Sequence, residues 1–154
     1  AVNEFQNQAV AYSYDGVTYK KLDELLLSGK DLPEGFSNND FRDPKVFKKD
    51  NKYCMLVGNK NNSTGMKQII MFTADNPLGP FKYANVIYSR NDLGGIFECP
   101  DLTTIDGKDI LISSPQSIGS DYEYKFQNAD SCVYLVGNLS VNTNKFYRHS
   151  NTHF

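Results

Sequence analysis

The sequence repeats itself at long range. Pro44-Lys45-Val46-Phe47 leads through a hairpin to Tyr53-Cys54-Met55-Leu56-Val57-Gly58; 56 residues on, Pro100-Asp101-Leu102-Thr103 leads through a hairpin to Ile110-Leu111-Ile112-Ser113. Two more apolar runs follow in each copy. All of these runs are short, rich in valine, isoleucine, tyrosine and phenylalanine, and bounded by Gly, Asn, Asp and Pro clusters, which is a strand pattern and not a helical one. The strands expected in the first part are Gln8 to Tyr14, Thr18 to Lys21, Lys45 to Lys48, Lys52 to Asn59, Lys67 to Ala74 and Lys82 to Ser89. The series continues with Asp101 to Ile105, Asp109 to Pro115, Ser131 to Leu139 and Lys145 to His149. Asp15-Gly16, Asp50-Asn51 and Asp106-Gly107 supply hairpin turns. Leu22 to Leu27 has the makings of a single helical turn, stopped by Ser28-Gly29 and Leu32-Pro33, and reads as a connection.

An offset of this size is close to one propeller blade of roughly 40 to 50 residues plus a loop. The chain is therefore expected to be all-β, with each repeat a four-stranded antiparallel sheet set radially about an axis. Residues 1–30 would be the end of one blade, its outer hairpin, and a connection; residues 41–90 one blade; residues 97–150 the next. Two blades and a piece of a third cannot close a ring, and uncovered blade faces would be apolar. More chain, or a second copy, is expected to cover them, so self-association of the isolated chain is predicted. A small β-sandwich is the alternative architecture for short strands at regular spacing.

Composition narrows the function. With 154 residues, 40% of them hydrophobic, the chain can bury one real core. A net charge of -2, with scattered lysines, argues against nucleic acid or an acidic membrane as partner. Lys48, Lys49 and Lys52 read as a solvated hairpin rim. There is no apolar run of membrane-spanning length, and Ala1 to Gln8 has neither the basic start nor the apolar stretch of a signal peptide, so a soluble cytoplasmic protein is expected. Cys54, Cys99 and Cys132 are too widely spaced for a disulfide framework or a metal knuckle, and His149 and His153 do not add a metal site. Cys54 and Cys132 lie in apolar runs and are expected to be buried thiols. No cofactor is implied.

The chemistry sits just ahead of the two prolines. Phe41-Arg42-Asp43-Pro44 and Phe97-Glu98-Cys99-Pro100-Asp101 each place a carboxylate where an innermost strand would begin, at the rim of a propeller's central cavity. Acids placed there converge. Glycosidic cleavage uses an acid to protonate the leaving oxygen and, with retention, a second carboxylate roughly 5 to 5.5 Å away. Arg42 is expected to hold Asp43 ionised and oriented, while Ile96, Phe97 and Cys99 are expected to desolvate Glu98, as suits a general acid. The bland reading of Asp43-Pro44 is a turn start beside a solvating Arg-Asp pair. Asp40, with Asn38 and Asn39, reads as turn chemistry, and Asp101 as pointing outward or pairing with a loop.

These motifs resemble those of glycoside hydrolase family 32, the invertases, levanases and bacterial sucrose-6-phosphate hydrolases. Phe41 to Phe47 is similar to the family's Arg-Asp-Pro motif, and Glu98 to Leu102 to its Glu-Cys-Pro motif. Ala11-Tyr12-Ser13 with Asp15-Gly16, and Leu111 to Gln116, add support. The resemblance implies a five-bladed propeller, usually followed by a β-sandwich domain, that hydrolyses β-fructofuranosidic bonds with retention. It implies Glu98 as general acid/base, Asp43 as transition-state stabiliser bound to fructosyl hydroxyls, and Arg42, Phe41, Phe97 and Cys99 as substrate-site residues, Cys99 tuning Glu98. Phe97 stands where the family most often has tryptophan. The family's nucleophile is an aspartate in an Asn-Asp-Pro motif, which does not occur in this chain.

By that map the chain holds the end of blade two and blades three and four. It is expected to be the part of a fructosidase that carries the acid/base and the stabiliser, acting on sucrose, sucrose 6-phosphate or a fructan, and to be inactive alone. Its partners would be the fructoside and the remaining blades and sandwich domain. A noncatalytic carbohydrate-binding or structural propeller piece is the alternative. A five-bladed arabinan- or xylan-cleaving enzyme is a third, disfavoured by Cys99.

Overall fold

The computed structural model describes residues 5–118 and 128–149. His153 and the first four residues, on which part of the sequence reading fell, lie outside them. Ten strands follow in order: β1 (Ala11–Tyr12), β2 (Lys20–Lys21), β3 (Phe36–Lys49), β4 (Lys52–Asn61), β5 (Lys67–Ala74), β6 (Lys82–Arg90), β7 (Phe97–Ile105), β8 (Lys108–Pro115), β9 (Val133–Ser140) and β10 (Lys145–Arg148). They form two four-stranded antiparallel meanders, β3-β4-β5-β6 and β7-β8-β9-β10, and a two-stranded piece, β1-β2. The sheets are the two blades and the outer hairpin that the repeat predicts.

Turn chemistry closes the blades' first hairpins. Asp50 and Asn51 have φ of 49° and 61°, and Asp106 and Gly107 have 50° and 73°, the left-handed pair that a tight hairpin with the native strand twist demands. The leading hairpin is shorter than expected. Only Ala11↔Lys21 and Tyr12↔Lys20 pair, and Gln8 instead bridges Leu27. Leu22 to Leu27 is a connection, and the helical turn comes just after it. Gly29–Asp31 is a 3-10 turn in which Ser28 and Asp31 form a reciprocal capping box, so Ser28, expected to stop a turn before it, starts one after it.

Strand alternation sorts the core. In β4, Cys54 and Leu56 face one way and Met55 and Val57 the other; in β5, Ile69 and Met71 oppose Ile70 and Phe72. One set packs with Phe97, Leu102, Leu111, Val133, Leu135 and Leu139 of the second blade. The opposite set packs with Leu27, Phe41 and Phe81 beneath the N-terminal connection. The first blade is thus buried on both faces, as its continuous apolar runs require. Among the described residues the second blade is covered on one face only: Ile105 and Tyr134 are 57% and 52% exposed on the other.

Two expectations fail here. Pro44 and Pro100 do not open their strands. β3 and β7 begin upstream of them, and pairing shifts register between Arg42 and Lys45 and between Glu98 and Asp101. Each proline sits at a bulge, where its missing N–H breaks no ladder bond. Cys132 is exposed, while Cys54 is buried. Regular pairing in β9 begins one residue later, at Val133, so nothing packs Cys132 into the core.

Candidate active site

β3 and β7 lie side by side as the first strands of successive blades. Gly58 of β4, paired with Arg42, lets them approach: a Cβ there would stand 2.4 Å from the Phe97 carbonyl oxygen. At the two bulges Asp43 and Cys99 take φ of 59° and 46°, conformations that L-residues rarely hold. The strain aims the functional groups at each other. Cys99 N–H donates to Asp43 Oδ2 at 3.0 Å, and Arg42 Nε lies 3.1 Å from Glu98 Oε1. The two motifs, far apart in sequence, thereby share one corner of the molecule.

Arg42 serves Glu98 and not Asp43. Its Nη2 donates to Asp40 Oδ1 at 3.1 Å, its Nη1 to Gln6 Oε1 at 3.3 Å, and Nε takes the Glu98 contact. The orienting bond to Asp43 comes from the Cys99 backbone. Nor is Glu98 enclosed by apolar groups. Alternation turns Phe97 into the core between the blades and Glu98 the opposite way, where its side chain is 26% exposed beside the guanidinium. Ser113 Oγ donates to the Glu98 carbonyl at 2.8 Å and fixes the strand beneath it.

Phe41 and Phe97 are both fully buried. They lie behind the motifs, Phe41 against Phe72 and Phe97 against Tyr88. Cys99 is exposed at the bulge. Burial, and then the Asp43 and Glu98 carboxylates, push its thiol above the usual range.

Several residues that position this corner carried no motif. Asn59 is fully buried; its Nδ2 donates to the carbonyls of Ser37 and Asp40 at 2.9 and 2.6 Å, and its Oδ1 accepts from Gln68 at 3.0 Å. Gln6 Oε1 accepts the Phe41 N–H at 2.9 Å, and Gln8 Nε2 donates to the Phe41 carbonyl at 2.7 Å. A buried Asn or Gln must find partners, but nothing in the sequence marked these amides as buried. Asp40 is more than a turn residue, because its Oδ2 accepts from Ser37 Oγ while Oδ1 holds Arg42. Asp101 pairs with Lys45 of the neighbouring blade at 3.1 Å, not with a loop. Lys49 also leaves the solvated rim to reach Asp109 of the second blade.

Residues 1–154 match the model of the glycosyl hydrolases family 32 N-terminal domain. The chain belongs to glycoside hydrolase family 32. A sucrose-6-phosphate hydrolase of Bacillus subtilis is 34% identical over 140 residues, covering 88% of this chain and 28% of that protein. A family 32 β-fructofuranosidase of Bombyx mori, solved as a mutant in complex with sucrose, superposes with a TM-score of 0.79 at 27% identity, over 93% of this chain and 30% of that one. The sucrose-6-phosphate hydrolase of Lactobacillus gasseri superposes at 0.80 with 26% identity, over 96% and 29%. The chain spans less than a third of the length of these family 32 relatives. Its fold is that of the family's five-bladed propeller, of which it forms two blades and a hairpin.

Proposed function

We propose that this chain carries part of the active site of a retaining β-fructofuranosidase, with sucrose or sucrose 6-phosphate as substrate. The observation that carries the proposal is the meeting of the two motif acids' neighbourhoods across adjacent blades, through Arg42–Glu98 and Asp43–Cys99. The names of the relatives support the substrate class. Glu98, partly exposed at a rim, is the general acid. It gives its proton to the glycosidic oxygen as the bond to the fructosyl carbon breaks, and takes one back from the attacking water in the second step. Asp43, held by the Cys99 N–H, presents its second oxygen to fructosyl hydroxyls and its charge to the positive ring of the transition state. Arg42 and Cys99 line the same corner. Phe41 and Phe97 support the sugar site from the core.

Retention also requires a carboxylate nucleophile, and none of the described residues is assigned that role. The chain by itself is therefore proposed to be inactive, to depend on further blades and a sandwich domain, and to self-associate through the open face of its second blade when isolated. The three free cysteines fit a reducing cytoplasm.

The test is sucrose hydrolysis by the full-length protein and its Glu98→Gln variant. Loss of turnover with sucrose binding retained is expected. A variant of near-normal rate overturns the role of Glu98, and a wild-type protein that binds sucrose calorimetrically without cleaving it makes this a noncatalytic carbohydrate-binding propeller.

A further inference from the structure

Arg42 is shared out atom by atom. An arginine beside a single carboxylate commonly takes it in two parallel bonds, which fixes the carboxylate and favours its ionised form. That is a poor state for a group that must carry a proton to a leaving oxygen. Here one N–H of Nη2 goes to Asp40 and one of Nη1 to Gln6, and the contact with Glu98 is made through Nε. Even that contact is off-line: Nε is buried and lies 3.1 Å from Oε1 without a hydrogen bond of acceptable angle.

The two anchors are themselves fixed. Asp40 Oδ2 accepts from Ser37 Oγ at 3.1 Å, and the Asp40 N–H donates to the same hydroxyl at 3.1 Å. Asn59 holds the Asp40 carbonyl from behind. Gln6 is held by the Phe41 N–H on its side-chain oxygen and by its own N–H on the Asn38 carbonyl. Each anchor is thus tied to its own surroundings as well as to the guanidinium.

We propose that Asp40 and Gln6 are positioning residues that hold the Arg42 fork to one off-line contact with Glu98, leaving that carboxyl able to take up and release the catalytic proton. The proposal rests on the fructosidase reading for the use of that proton, but not for the contacts. Among the described residues, the titratable groups around the pair are Asp40, Asp43 and Lys45 on β3 and Cys99 and Asp101 on β7. β8 brings the neutral Ser113 and Ser114, and the N-terminal segment the neutral Gln6. Lys45 is occupied by Asp101, so Arg42 is the cation that responds when Asp40 changes.

The experiment compares the full-length protein with its Asp40→Asn and Asp40→Glu variants in two ways. Carbon-13 NMR of glutamate-labelled protein, with Glu98→Gln for assignment, reads the pH at which Glu98 loses its proton. The pH profile of kcat/KM on sucrose reads the same event through the alkaline limb. Without the Asp40 charge both readings move to lower pH by about half a unit or more, with Asp40→Glu restoring most of the shift; because loss of that charge alone acts in the same direction, Gln6→Met, which frees Nη1 with no change of charge, must also move them down. An unchanged Glu98 titration in folded Asp40→Asn, with only a lower Tm, overturns the proposal. A shifted titration in a protein that cleaves no fructoside supports it while sinking the fructosidase reading. If Asp40→Asn does not fold, Gln6→Met is read by the same NMR titration and against the same outcomes.

Discussion

Asp43 Oδ2 accepts the backbone N–H of Cys99, and the two residues stand 56 positions apart, at the same place in successive blades. Arg42 and Glu98 share that offset, and so do Lys45 and Asp101. Three residues of the first inner strand thus meet their own repeat equivalents in the second. Such contacts are what two copies of one sheet make when they are turned about a common axis and their first strands run side by side. The left-handed backbone at both bulges is the local cost of this arrangement, on the order of 1–3 kcal/mol each, and the surrounding ladder holds it.

Replacing Asp43 by Asn in the full-length protein keeps an oxygen for the Cys99 N–H but removes the charge. Turnover of sucrose is expected to fall by about 10²- to 10³-fold with little change in Tm. Steady-state kinetics beside a thermal melt checks this; a rate within a few-fold of wild type would remove Asp43 from the mechanism.

Gly58→Ala puts a methyl group 2.4 Å from the Phe97 carbonyl, and the obstacle is backbone that cannot rotate away. A destabilisation of about 1–3 kcal/mol is expected in urea unfolding. Because the clash lies between the blades, the melting transition should broaden as docking weakens. Wild-type stability would mean that β4 and β7 are not in this contact.

Asp109 makes stability depend on pH. Burial alone would push its carboxyl up and is the largest single influence, but the Leu139 N–H, the Thr104 hydroxyl and Lys49 together outweigh it and hold the carboxyl below its ordinary value. A lowered folded-state pKa means that the stabilisation is present above the unfolded pKa near 4 and is lost as pH falls through the folded one. Melts from pH 6 down to pH 3 should therefore show Asp109→Asn losing less stability than wild type across the acid range, although it starts lower. Parallel acid limbs would dismiss the clasp.

The open face of the second blade makes a prediction for the isolated chain. With Ile105 and Tyr134 more than half exposed and Ile112 paired beside Tyr134, the chain should sediment as a dimer or larger. Ile112→Lys with Tyr134→Glu should shift it to monomer. A wild-type chain that sediments as a stable monomer would show that this face needs no cover.

Much of this was legible before any coordinates. The repeat announced two sheets of four, because strand length, turn residues and a long-range period are local properties that the chain writes out in order. The motifs likewise pointed to Asp43 and Glu98, and the structure brings their neighbourhoods together across the blades. What sequence could not show was direction. Arg42 adjoins Asp43 in the chain, yet alternation sends its guanidinium toward Glu98 in the next blade. Phe97 adjoins Glu98, yet the same alternation buries it on the other side. The prolines hid the bulges, since a strand that stops at Pro44 and one that kinks there have the same composition. Gln6, Asn59 and Gln68 were silent because an amide's importance depends on which carbonyls lie within 3 Å of it.

The bond from Cys99 to Asp43 has a consequence in time. A chain that has folded only its first blade holds Arg42 and Asp43 with nothing opposite either of them. The Arg42–Glu98 contact and the Cys99–Asp43 bond come into being together, when the second blade docks. Whatever loosens the seam between the blades therefore loosens both contacts at once.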